Sequence, residues 1–200
     1  MAIITANNQS MTAITSLPSG VSAKSMILLA TETASSSATV SFTSNIDDTY
    51  KEYIFKFYDI HPATDDVKLT VGFRDGSTAY DATKTTTFFS SEHDEANTAT
   101  ALAYSTGDDL AQATGFQPVT KAIGNGNDES CAGTLHLFDP SSTTFVKHFI
   151  SRANMYYSGN SSFDCLMAGY ANVTAAIDGV QFKMSSGNMD AGTIKMYGVV

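Results

Sequence analysis

Tryptophan is missing from this 200-residue chain, cysteine occurs twice, proline four times, and charged side chains make up only 16% of the residues. Each shortage excludes something. Two cysteines, Cys131 and Cys165, are too few for a disulfide framework, and a reducing compartment keeps them as thiols. Both lie in segments that alternate like strands, which leaves two readings: neighbours on adjacent strands that could join, or two small buried apolar residues. The latter is the simpler. No run of 18 apolar residues is present, and the first residues lack the basic start and apolar centre of a secretory signal. The expectation is a soluble chain made in a cytoplasm, without membrane insertion. Eleven Lys plus Arg against 20 Asp plus Glu leave a net charge of −9, which repels phosphate backbones and anionic lipid and argues against nucleic acid as a partner.

Motifs of the common enzyme classes are also missing. There is no Gly-x-Ser-x-Gly elbow, no phosphate-binding Gly-x-x-x-x-Gly-Lys-Ser/Thr loop, no His-Glu-x-x-His and no Cys-x-x-Cys. His61, His93, His136 and His148 are dispersed. His136 and His148 fall in neighbouring predicted strands and would make half a metal site if they faced each other, but a third ligand is needed. Carboxylates come in pairs at Asp47-Asp48, Asp65-Asp66, Asp108-Asp109 and Asp128-Glu129. Glycoside hydrolysis needs two carboxyls a set distance apart, and nothing in these spacings sets one. Asn125, Asn127, Asp128 and Glu129, in a glycine-interrupted loop, are calcium candidates by ligand type but lack the regular spacing of a calcium hand. Solvated turn residues account for them more simply. No catalytic residue, resident metal or cofactor is assigned.

What is abundant is hydroxyl. The chain holds 23 Ser and 25 Thr, with 9 Tyr and 12 Phe, a composition suited to pleated, half-buried surfaces. From residue 26 onward the pattern is of short strands between turn-forming clusters. Val67, Leu69, Val71 and Phe73 share one face with Lys68, Thr70, Gly72 and Arg74 on the other, a strand with one side wet. Tyr53, Phe55 and Phe57 oppose Ile54, Lys56 and Tyr58, which suggests a central strand. Further strands are read at 133–138, 144–155, 163–170, 175–184 and 192–199, separated by Asp139-Pro140-Ser141-Ser142, Ser158-Gly159-Asn160-Ser161 and Ser185-Ser186-Gly187-Asn188. Nine or ten strands and no long amphipathic helix predict an all-β, two-sheet β-sandwich of jelly-roll type over residues 23–200. Residues 1–22 precede it as an N-terminal arm for attachment to a partner. Ser90 to Asn127 is poorly patterned, and its 92–104 part suits either a helical turn or a long excursion.

Aromatic residues mark candidate contact surfaces. Tyr156 and Tyr157 point to opposite faces of any strand, so one of them is available to an interface or ligand. Tyr104, Tyr156 and Tyr197 are the interface or ligand candidates, and Tyr156, Tyr197, Ile54 and Val146 fall where alternation leaves a wet face. Such a surface is covered either by the Ser90 to Asn127 segment or by another copy of the chain.

The opening Met-Ala-Ile-Ile-Thr, the run Thr49-Tyr50-Lys51-Glu52-Tyr53-Ile54-Phe55 leading to Asp59-Ile60-His61-Pro62-Ala63-Thr64, and the ending Ile177-Asp178-Gly179-Val180-Gln181-Phe182 through Ser186-Gly187-Asn188 to Ile194-Lys195-Met196-Tyr197-Gly198-Val199 resemble virion structural proteins of tailed bacteriophages, those of marine and cyanobacterial hosts in particular. The ending is the most specific part and reads as a hairpin. The resemblance implies a non-enzymatic component of a tail, fibre or capsid decoration, located on the virion, bound to other virion proteins and to itself, with a trimer expected first. The alternative is a carbohydrate-binding receptor module that meets a host surface glycan.

Overall fold

The computed structural model describes residues 25–200, so the arm assigned to residues 1–22 lies outside the described residues. Among those described there is no helix, and therefore none long and apolar enough to cross a membrane. Twelve strands form: β1 (Met26–Ser37), β2 (Val40–Phe42), β3 (Glu52–Pro62), β4 (Leu69–Arg74), β5 (Lys84–Asp94), β6 (Thr100–Tyr104), β7 (Gln117–Pro118), β8 (Cys131–Phe138), β9 (Lys147–Tyr157), β10 (Ser161–Ala171), β11 (Gly179–Met184) and β12 (Met189–Val199). They make two antiparallel sheets, one of eight strands in the order β1-β12-β3-β8-β9-β10-β5-β6 and one of four in the order β2-β11-β4-β7. The molecule is an all-β sandwich, and its eight-plus-four division goes beyond the eight strands of a simple jelly roll.

Alternation decides which side chains meet between the sheets. In β3, Tyr53, Phe55 and Phe57 turn inward and are buried; in β11, Val180, Phe182 and Met184 do the same from the opposite sheet. Phe182 meets Phe57 at 5.2 Å and Phe55 at 5.6 Å between ring centroids, and Phe42 joins from β2 at 6.4 Å. These separations suit edge-to-face packing, in which the positive rim of one ring faces the negative face of the next. A second contact, Phe73 on Phe149 at 4.8 Å, ties β4 to β9. As expected, β3 is interior, between β12 and β8.

Three expectations change. The strand read at Val67 to Arg74 is covered on both sides: Thr70 is buried, and a Cβ at Gly72 would come within 2.8 Å of the Phe116 ring and the Tyr80 carbonyl. Packing by residues distant in sequence covered the face that alternation alone leaves wet. Ser90 to Asn127 contains no helical turn; β5 runs on to Asp94, turns, and returns as β6. The carboxyl-terminal segments do not form a hairpin. β11 pairs with β2 and β4, whereas β12 pairs with β1 and β3, so Ser185-Ser186-Gly187-Asn188 carries the chain from one sheet to the other. Gly187 has φ +68° and a Cβ there would sit 2.2 Å from the Thr64 hydroxyl, so both backbone and space require glycine. Asn188 completes the crossing by accepting from the Ala63 N–H at its carbonyl and donating from its side chain to the Ser36 carbonyl.

Candidate functional site

The register of the eight-stranded sheet lines up its solvent face in rows. Tyr197 lies opposite Ile54, Ile54 opposite His136, His136 opposite Ile150, and Ile150 opposite Ala168. One row on, Arg152 pairs with Leu166, Leu166 with Phe89, and Phe89 with Tyr104. Ile150 is 51% exposed, Leu166 42% and Phe89 44%, and neighbouring Leu102 on β6 reaches 78%. Small side chains at Ala168 and Gly169 leave a groove of about 440 Å³ between Ile150, His148 and Tyr170. Arg152 and Asp164 bond bidentately, Nε to Oδ1 at 2.9 Å and Nη2 to Oδ2 at 2.8 Å, so the charge beside the exposed row is paired, whereas on β3 and β12 the same face carries Lys56 and Lys195 over the Tyr197 and Tyr58 rings. The sheet ends at β6, whose five residues are all exposed and carry neither Lys nor Pro. That is an unprotected edge.

The three tyrosine candidates occupy this face without converging. Tyr104 meets Phe89 edge-on at 5.1 Å and donates to Asp109 Oδ2 at 2.5 Å, a bond that holds its phenol above the ordinary value. Tyr197 lies under Lys56, whose Nζ is 5.5 Å from the ring centroid. Tyr156 points outward and donates to Asn160 Oδ1 at 3.4 Å, its phenol raised by the neighbouring Glu95 carboxylate, while Tyr157 packs inward against Phe163 at 5.3 Å. Ile54, expected on a wet face, is buried at 8% exposure and Tyr197 is half-buried, while residues 105–113 bond along the β5 edge, the Leu110 and Ala113 carbonyls accepting from the Thr86 and Lys84 N–H groups. Val146 precedes β9 in a loop rather than on a sheet face.

The remaining candidates disperse. His136 and His148 share the outer face but engage separate partners: His136 Nδ1 is 2.6 Å from Glu52 Oε1, and His148 meets Tyr170 edge-on at 6.1 Å. Glu129 turns back on its own loop to accept the Gly126 N–H at 2.6 Å, and the Asn125 N–H donates to Asp65 at 3.2 Å. Neither Asn127 nor Asp128 joins them, and among the described residues no group of three or more His, Cys, Asp or Glu is arranged to hold a metal. Cys131 and Cys165 flank β9, opposite Met155 and Ala153, as buried free thiols. Burial raises both, Cys165 to about 11.

Sequence reasoning missed the buried charges. Lys84 and Lys147 both lie opposite Ala171 on β10, one on each side, and both are fully buried. Lys147 donates to the Val173 and Ala175 carbonyls, and Lys84 to the Ala82 carbonyl at 2.6 Å. The signal was available: Lys147 is in phase with Phe149, and Lys84 with Phe88. Desolvation brings the Lys84 ammonium down to about 8. Asp108 is the third, 2% exposed and clamped by Lys68 and Lys121. Burial alone would raise its carboxyl, but hydrogen bonds from Lys121, Lys68 and Ser105 outweigh that and hold it below the ordinary range. This cluster pins residues 105–121 to the strand-edge residue Lys68.

No family model, curated protein or solved structure matches this chain.

Proposed function

We propose that the chain is a non-enzymatic structural component of a tailed-phage virion, in its tail, fibre or capsid decoration, assembled from several copies that meet through the outer face of the eight-stranded sheet. The observation that supports assembly is the row of exposed Ile150, Leu166 and Phe89 continuing into the unprotected β6 edge. Copies with a net charge of −9 repel one another unless they meet where charge is absent or paired. The part of the face around Ile150, Leu166 and Phe89 satisfies that condition, Arg152 and Asp164 neutralising each other, with Lys56 and Lys195 set apart on β3 and β12. A second copy is therefore the occupant, in a closed arrangement with three copies expected first. The virion role itself rests on the sequence resemblance in the 49–64 and 177–199 segments, and residues 1–22 are the proposed attachment to other virion proteins. Mass spectrometry of purified phage particles carrying this gene tests it: the chain is expected as a stoichiometric component, and particles without it overturn the reading.

A further inference from the structure

The eight-stranded sheet has four more strands than the four-stranded one, and beside its β10-β5-β6 end residues 105–113 bond along the β5 edge before β7 joins the smaller sheet. A cleft of about 460 Å³ remains there, within the range of small-molecule sites, roughly 300–1,000 Å³. Its apolar wall is Ala101 and Ala103 of β6 with the paired rings of Tyr157 and Phe163. Lys68 and Lys121 bring donors. Each ammonium has three N–H groups; Lys121 uses two, on Asp108 at 2.6 Å and Ser105 at 2.5 Å, and Lys68 uses one on Asp108. Their side chains stay 33% and 25% exposed and both line the cleft, with N–H groups left over for a ligand there. Glu92 and Asp66 bring acceptors, each engaged by a single serine hydroxyl, Ser161 at 3.1 Å and Ser158 at 3.4 Å.

Ligand charge follows from this set. An anion would meet the carboxylates of Glu92 and Asp66, and a cation the ammonium groups of Lys68 and Lys121; a neutral molecule whose hydroxyls both donate and accept satisfies all four. It must also present an apolar face to the alanines and Tyr157. A sugar ring has both properties, with C–H groups on its faces and hydroxyls around its edge. We infer that this cleft is a binding site for a neutral pyranose. The inference stands apart from the virion reading, since binding belongs to the isolated chain. It moves the aromatic contact from Tyr104 and Tyr156 to Tyr157, which alternation turns inward.

Titration of the full chain with methyl glucoside, methyl galactoside, methyl mannoside and methyl N-acetylglucosaminide, followed by amide NMR, tests it. At least one is expected to shift the Ala101, Ala103 and Lys121 amides with a Kd of about 1 mM, the level a few hydrogen bonds and one stacked ring support. Ala103→Phe fills the cleft from an exposed edge position and is expected to abolish the shifts. Lys68→Met, which leaves the Lys121–Asp108 pair in place, is expected to weaken binding about tenfold. Ile150→Glu, on the opposite face of the sheet, leaves it unchanged. No shift with any of the four at about ten times that concentration, shifts centred on Tyr104 or Tyr156, or equal binding by both cleft variants overturns the inference.

Discussion

Lys84 occupies a core position with one carbonyl as its hydrogen-bond partner, and its proton ties the stability of this fold to pH. Its folded value of about 8 lies below the 10.5 of a free lysine. Between those two values the unfolded chain holds more protons, so stability rises with pH across that window, and below about 8 the cost of the buried charge is fully present. The difference amounts to about 3 kcal/mol at most. Lys84→Met is expected to raise the urea midpoint at pH 7 and to remove much of the rise between pH 8 and 10. A variant as pH-dependent as the parent would show that other groups carry it. Asp108 also makes stability rise with pH, in a lower window and by lending stability rather than by shedding a cost. Its folded value is lowered, so the stability it lends is present above the ordinary carboxylate value and is lost as pH falls through its own.

At the scale of the element, the edge strand β6 and the row beside it are the test of assembly. Leu102→Lys places a charge on the unprotected edge, and Ile150→Glu a charge in the exposed row; each is expected to shift the light-scattering mass of the parent toward a single copy without changing its melting temperature. A parent that is a monomer at high micromolar concentration contradicts self-association. Elements were also where the sequence was most and least legible. The two-residue period in Tyr53–Phe55–Phe57 and Val180–Phe182–Met184 placed both strands and their buried faces, because burial of one face is written into every second residue. Pairing is not written there. Met184 to Met189 reads as a hairpin from its turn residues, yet Gly187 and Asn188 fit a crossing between sheets as well, and only Thr64 and Ser36, far away in the chain, distinguish the two. The cleft was hidden for the same reason: Lys68, Glu92 and Lys121 come from three separate segments, and no spacing in the sequence relates them.

For the molecule as a whole, every buried side-chain nitrogen and oxygen among the described residues has a hydrogen-bond partner. Deleting residues 1–22 is therefore expected to move the thermal unfolding midpoint little while abolishing incorporation into particles, measured by calorimetry and by mass spectrometry of the assembled virion. A large loss of stability would make the segment part of the fold. The pairing of β1 with β12 has a further consequence. It joins Met26 to Val199 and Ser37 to Met189, and β12 is also the strand that connects β1 to β3. During synthesis β1 waits for β12, its partner among the described strands, until the ten strands between them have followed. Closure of this edge is thus a late, long-range event of high contact order.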